Sequence, residues 1–193
     1  MQLLLKGRLS KFSQVYQDLY NEGKGSIYQM QNMGVTPPEE FKIAAKYALS
    51  KKYNDIITST GGLVDTADLQ TIEAINIEAK ALDIKLDKAV SNKIFAKKLE
   101  QNINRLAYSL EVQQADVVLE LFDYIEKMDL DIDISEAQNT YYTRIYHRIG
   151  EIIDAGKNLK RKNEKYFAQM LLNIGDRLNI NTDFYRDILD REL

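Results

Sequence analysis

Apolar residues recur every three or four positions along almost the whole chain, and no stretch alternates apolar and polar residues long enough to form a strand. A period near 3.6 belongs to helices, so the sequence predicts an all-α fold. Leu5, Leu9, Phe12, Tyr16 and Leu19 begin the series as one stripe. That helix is expected to end near Glu22, where "GKG" at 23–25 breaks it, with a short helical piece continuing to Met33. "TPPEEFKIAAKYALSKKY" reads as a helix start: Thr36 as N-cap, Pro37 and Pro38 in the first turn, Glu39 and Glu40 at the positive end of the dipole.

Beyond Gly61 and Gly62 the spacing predicts a helix over 66–82 with Asp65 as its cap and Leu69, Ile72, Ala79 and Leu82 facing inward. A long helix follows over 87–111 with Ile94, Leu99, Ile103, Leu106 and Leu110, then one over 114–127 with Val117, Val118, Leu121, Phe122 and Ile125. "ISEAQNTYYTRIYHRI" starts a helix expected to end near Gly156, and another covers 161–178 with Phe167, Met170, Leu171 and Ile174. A short last helix, capped by Thr182, carries Phe184, Tyr185, Ile188 and Leu189. Seven to nine helices with short loops make a bundle or stacked pairs, and no fixed-period repeat is visible. A chain of 193 residues can bury one well-formed core, so a single helical domain over 1–193 is expected.

Charge and composition narrow the function classes. With 26 Lys and Arg against 29 Asp and Glu the formal charge is −3, which supplies no global field for a polyanion, so no nucleic-acid partner is expected. The absence of cysteine removes disulfides and thiolate chemistry together and fits a cytoplasmic location. No apolar window is long enough to span a membrane, and "MQLLLKGRLSKF" lacks the apolar core and cleavage site of a secretory signal. The stripe is already running at Leu5 without a cap, so the chain reads as a fragment of a longer protein, with Met1 as an added start.

Few constellations carry chemistry. His147 is the only histidine, so a His-based triad or a closed zinc site has too few members, and its expected place is a helix face beside Arg148. "DLDIDIS" spaces carboxylates like a calcium loop, but the sixth and twelfth positions are Ile134 and Thr140 where Gly and Glu are needed. Asp133 with Glu136, or Ser135 with Gln138, has capping-box spacing, which accounts for Gln138 as a helix starter. Tyr141, Ile145 and Ile149 form one stripe and Tyr142 with Tyr146 a neighbouring one, expected to be buried on two sides. "KNLKRKNEK" at 157–165 is the only basic run and reads as a solvated loop or helix start. No phosphate-loop, dinucleotide, GxSxG or HExxH motif is present, so no catalytic residue, metal or cofactor is assigned.

Three stretches taken in order, "GVTPPEEFKIAAKYALSKK" at 34–52, "ALDIKLDKAVSNKIFAKKLEQNINRLA" at 81–107 and "DLDIDISEAQNTYYTRI" at 129–145, carry a resemblance. Together they resemble the helical C-terminal domain of certain glycoside hydrolase family 57 proteins of the alpha-amylase or alpha-mannosidase-like kind. The resemblance covers roughly 9–178, and its most specific element is Gln138-Asn139-x-Tyr141-Tyr142. Ser135 stands where the family places a bulky aromatic. The resemblance implies a parent enzyme that hydrolyses or transfers alpha-linked glucans through two carboxylates, in a barrel preceding this region. No alternating strand–helix units of such a barrel occur in this chain. The chain is then expected to be a non-catalytic accessory domain whose partners are the parent's catalytic domain and an alpha-glucan, with Gln138, Asn139, Tyr142 and Tyr146 as glycan or interdomain contacts. The alternative is a free-standing helical interaction or scaffold module. The first reading also expects an exposed apolar patch near Leu3 to Leu5.

Overall fold

The computed structural model describes residues 2–159 and 162–191, and side chains for 10–30, 32–154, 164–189 and 191. Among those residues there are helices and turns and no strand, as the apolar period predicts. The chain divides into two compact units, Met1–Ser91 and Asn92–Leu193.

The first unit is built from α1 (Gln2–Asn32), α2 (Glu39–Ser59) and α3 (Thr66–Ala81), with α1 along α2 and α2 against α3. α1 runs unbroken through "GKG", contrary to the expected stop near Glu22. Gly23 is there for space: a Cβ on it would collide with the Phe41 ring of α2. The glycine's cost to the helix, on the order of 1 kcal/mol, is offset by that close approach. Among the described residues of α1, Tyr20, Gly23 and Ile27 are buried, whereas Phe12 and Leu19 of the expected stripe face solvent, Phe12 at 62% exposure. The side chains of Leu3, Leu4, Leu5 and Leu9 lie outside the described residues, and with them the apolar patch expected there.

α2 starts at Glu39, two residues later than a Thr36 cap would place it. Pro38 is the N-cap, with ψ 147° and no side-chain capping bond. Each proline pushes the residue before it out of helical geometry, so Thr36 and Pro37 stay outside the helix and the Phe41 and Lys42 N–H groups bond to the Pro38 carbonyl. Asp65 caps α3 as expected, its Oδ1 accepting from Asp68 N–H at 2.8 Å while Asp68 reaches back. Ala44, Ala45, Leu49, Tyr53 and Ile57 of α2 meet Ile72, Ile75 and Ala79 of α3 in the buried set of this unit.

The segment after α3 is held to α2 by Asn54. Its Nδ2 donates to the Ser50 and Asp87 carbonyls, and its Oδ1 accepts from Ser91 N–H and Oγ–H at 3.2 and 2.6 Å. Ser50 Oγ accepts from Asp87 N–H at 2.8 Å, so this half-buried loop keeps its polar groups satisfied.

The second unit continues from the first turn of α4 (Ala89–Ser109), which buries Phe95, Leu99, Ile103 and Leu106 at spacings of four, four and three. α5 (Val112–Lys127) buries Ala115, Val118, Leu121, Phe122 and Ile125. Val117, expected inside, is 45% exposed: its neighbour Val118 takes the inward place, and consecutive helical residues point about 100° apart. After α6 (Ser135–Arg144) the expected long helix is interrupted by a 3₁₀ turn, η1 (Tyr146–Arg148), before α7 (Ile149–Leu159) resumes. α8 (Lys162–Arg177) packs against α5, α7 and α9 (Asp183–Asp190). Tyr141, Ile145, Ile149, Phe167, Met170, Leu171 and Ile174 are buried, as their stripes predict.

α3, α5 and α8 end in the same way, a likeness that the search for a fixed period missed. Each is followed by a residue in the left-handed region, Asp83 (φ 55°), Asp129 (φ 53°) or Asn179 (φ 55°). The next N–H, of Ile84, Leu130 or Ile180, bonds back to Ala79, Ile125 or Gly175 at 2.9, 3.0 and 2.9 Å. This is a Schellman closure with Asp or Asn where glycine is commonest. Four residues after Asp83 and Asp129, and two after Asn179, an Asp or Asn (Asp87, Asp133, Asn181) accepts from the N–H two residues on and leads the chain into the next helix. In sequence the three exits read "LDIKLD", "MDLDID" and "LNINTD".

Candidate functional site

The "DLDIDIS" exit does not start α6 through a capping box. Asp133 Oδ1 takes both Ser135 N–H and Oγ–H, at 3.0 and 2.6 Å, and Ile134 at the N-cap makes no side-chain bond. Gln138, expected to reach back to the cap, instead donates from Nε2 to the Leu178 carbonyl at 2.6 Å. It ties α6 to the end of α8, where the last carbonyls of a helix lack internal partners. Asn139 is exposed, with its carbonyl accepting from Thr143 Oγ–H at 2.7 Å. Gln138 and Asn139 therefore point to different tasks, and only Asn139 faces solvent.

Tyr142 and Tyr146 do come together. Their rings stack with centroids 5.4 Å apart and planes 24° from parallel. His147 stands edge-on to both, at 5.4 and 5.6 Å. The interruption of the helix creates this arrangement: α6 ends at Arg144, and the tighter η1 turn gathers rings from 142, 146 and 147. Tyr185 of α9 meets Tyr146 edge-on at 5.1 Å, and Phe184 meets Tyr185 at 5.1 Å. Tyr142 is 50% exposed and Phe184 64% exposed, so the series of five rings reaches solvent at both ends. The expectation that the Tyr142 stripe is buried is corrected here. Burial, then the neighbouring Tyr146, raises the Tyr185 hydroxyl above its ordinary range.

Tyr141, next to Tyr142 in sequence, is wholly buried and donates to the Leu171 carbonyl at 2.6 Å. Burial, then the Asp176 carboxylate, pushes its hydroxyl far up, so it stays a neutral donor. Behind it, Thr182 is buried with its hydroxyl on Asp176, and Arg186 binds Asp176, Asn173 and Thr182. Thr182 is thus a buried link to Asp176 and makes no capping bond to α9.

A second polar cluster lies in the first unit. Glu78 of α3 accepts from Tyr20 Oη–H and from Lys24 Nζ, the latter at 2.7 Å to Oε1 and 2.9 Å to Oε2. Burial raises the Glu78 carboxyl, but the Lys24 and Tyr20 bonds outweigh it and hold the group below the usual glutamate range. Burial, then the Glu78 bond, pushes the Tyr20 hydroxyl far upward. Sequence reading missed this cluster, because 58 residues separate Tyr20 from Glu78 and no local pattern joins them.

Among the described residues no group of three or more His, Cys, Asp or Glu could hold a metal ion, and no helix is long and apolar enough to cross a membrane. The basic run at 157–165 lies largely outside the described side chains. Comparison with family models, curated proteins and solved structures found no match for this chain.

Proposed function

We propose that this chain is a non-catalytic accessory domain of a family 57-like glycoside hydrolase acting on alpha-glucans, with the rings around Tyr142 and Tyr146 as its glucan-facing surface. The observation that carries the reading is the solvent-reaching ring series Tyr142, Tyr146, Tyr185 and Phe184, with His147 on its edge. Ring faces take the C–H faces of sugars, and tyrosine hydroxyls add directional bonds without a charge to desolvate. The resemblance through Gln138-Asn139-x-Tyr141-Tyr142 supports the same reading and falls on α6, the helix that supplies Tyr142 to this surface. In this reading the catalytic carboxylates belong to the parent's barrel, and the parent's catalytic domain is the second partner.

Gel mobility tests the reading. The full chain should be retarded in a gel containing amylopectin, and Tyr142→Ala should abolish the retardation. Unchanged mobility of the unaltered chain at every amylopectin concentration would sink it.

A second reading, a free-standing helical interaction module, is favoured by one observation: Phe12 and Val15 on α1 and Ile43 on α2 expose large apolar side chains. Exposed apolar side chains on paired helices are the kind of surface that contact partners cover.

A further inference from the structure

Between α1, α2 and α3 lies a cleft of about 680 Å³ that the proposed function does not use. Its volume falls within the roughly 300–1,000 Å³ span of small-molecule sites. The floor is aliphatic, from Ala48, Leu49 and Ile75, all buried.

The rim is polar, and its groups divide by what they still have to offer. Gln17 and Asn21, one turn apart on α1, have no side-chain partner among the described residues, so each amide can both donate and accept. Ser59 and Thr71 donate their hydroxyl protons to the Ile56 and Ala67 carbonyls, each at 2.9 Å, which leaves their oxygens as acceptors. Lys52 adds ammonium donors, and Asp55, one turn further along α2, adds a carboxylate.

This balance of charge selects the ligand class. Lys24 is neutralised by Glu78, and Asp55 is paired with Lys51. Lys52 alone would welcome an anion, but residues three apart on a helix are surface neighbours, so an anion at Lys52 also meets the Asp55 carboxylate. The rim thus offers both donors and acceptors around an aliphatic floor, with little net charge. Hydroxyl groups satisfy both kinds, and a ring of C–H bonds suits the floor.

We propose that this cleft binds a neutral polyhydroxylated molecule, a short oligosaccharide, at a site separate from the ring surface of the second unit. Amide resonances of the full chain followed during titration with maltotriose test the assignment. Saturable shifts are expected for the Gln17 and Asn21 side-chain amides and for the backbone N–H groups of Ser59 and Thr71. Asn21→Ala and Thr71→Val should each weaken binding roughly three- to tenfold, the loss typical of one hydrogen bond. Both positions lie at the solvent edge of the cleft, and unchanged circular dichroism of each variant would confirm that the fold is kept. Titration with acetate or inorganic phosphate that moves these resonances while maltotriose does not would overturn the proposal in favour of an anion site. Shifts confined to Tyr142 and Tyr146 would also overturn it while leaving the ring surface standing. Shifts confined to the cleft would support it and count against the ring surface.

Discussion

Gly175 of α8 lies directly beneath Tyr141 of α6: a Cβ at 175 would come within 2.9 Å of the Tyr141 hydroxyl and 2.7 Å of Thr182 Cγ2. Neither neighbour is free to give way, because Tyr141 is buried and bound to Leu171, and Thr182 is buried and bound to Asp176. Gly175→Ala gains up to about 1 kcal/mol of helix propensity. Overpacking costs about 1–3 kcal/mol, so a net loss is expected. Urea unfolding should show a lower midpoint with an unchanged slope, and a raised midpoint would refute the close contact.

Tyr141→Phe keeps the ring and removes its donor, with an expected loss of about 1 kcal/mol. It also removes one of the atoms against which a Cβ at 175 presses. Combined with Gly175→Ala it should destabilise by less than the sum of the two single changes, a coupling that a double-mutant cycle measures.

Asn54→Leu should be among the costlier single changes in the first unit. It deletes the donor to the Asp87 carbonyl and the acceptor for Ser91, each bond worth about 1 kcal/mol, with more lost if the freed groups stay dry. A loss of about 2–3 kcal/mol is expected from denaturant titration.

At the end of α3, Asp83 holds φ 55°. Asp83→Gly should raise stability by about 0.5–1 kcal/mol, since glycine adopts this region freely. Asp83→Ile should lower it by about 1–2 kcal/mol. If thermal unfolding ranks the two variants the other way, the left-handed exit is not the form present in solution.

Glu78 predicts an acid dependence. Its folded carboxyl is held below the ordinary range by Lys24 and Tyr20, so its stabilising contribution is complete above the unfolded value. That contribution is lost as pH falls through the depressed folded value, when the carboxylate takes up a proton. Unfolding midpoints measured between pH 7 and the acid limb should fall less steeply for Glu78→Gln than for the unaltered chain. Parallel curves would show that Glu78 carries no such linkage.

The helices themselves were legible because a buried stripe must recur with the helical period, and Leu99, Ile103 and Leu106 or Phe167, Met170 and Leu171 do so plainly. Ends and breaks were harder. Gly23 looks like a breaker in sequence, and only the Phe41 ring on another helix explains why it is tolerated inside α1. Gln138 has the spacing of a capping residue, yet its partner is a carbonyl 40 positions away. At the candidate surface, Tyr142 and Tyr146 were visible as neighbours on one helix. Phe184 and Tyr185 joined them only through the packing of α9, and residues at that distance share no local pattern.

The shared exit after α3, α5 and α8 separates the shape of the chain's path from the identity of its helix faces. A backbone bond and one left-handed Asp or Asn define each joint, although the three exits differ in sequence as "LDIKLD", "MDLDID" and "LNINTD". Because each joint is closed by main-chain bonds, substitutions on the exposed helix faces can alter what the chain presents to a partner without touching the groups that turn it from one helix to the next.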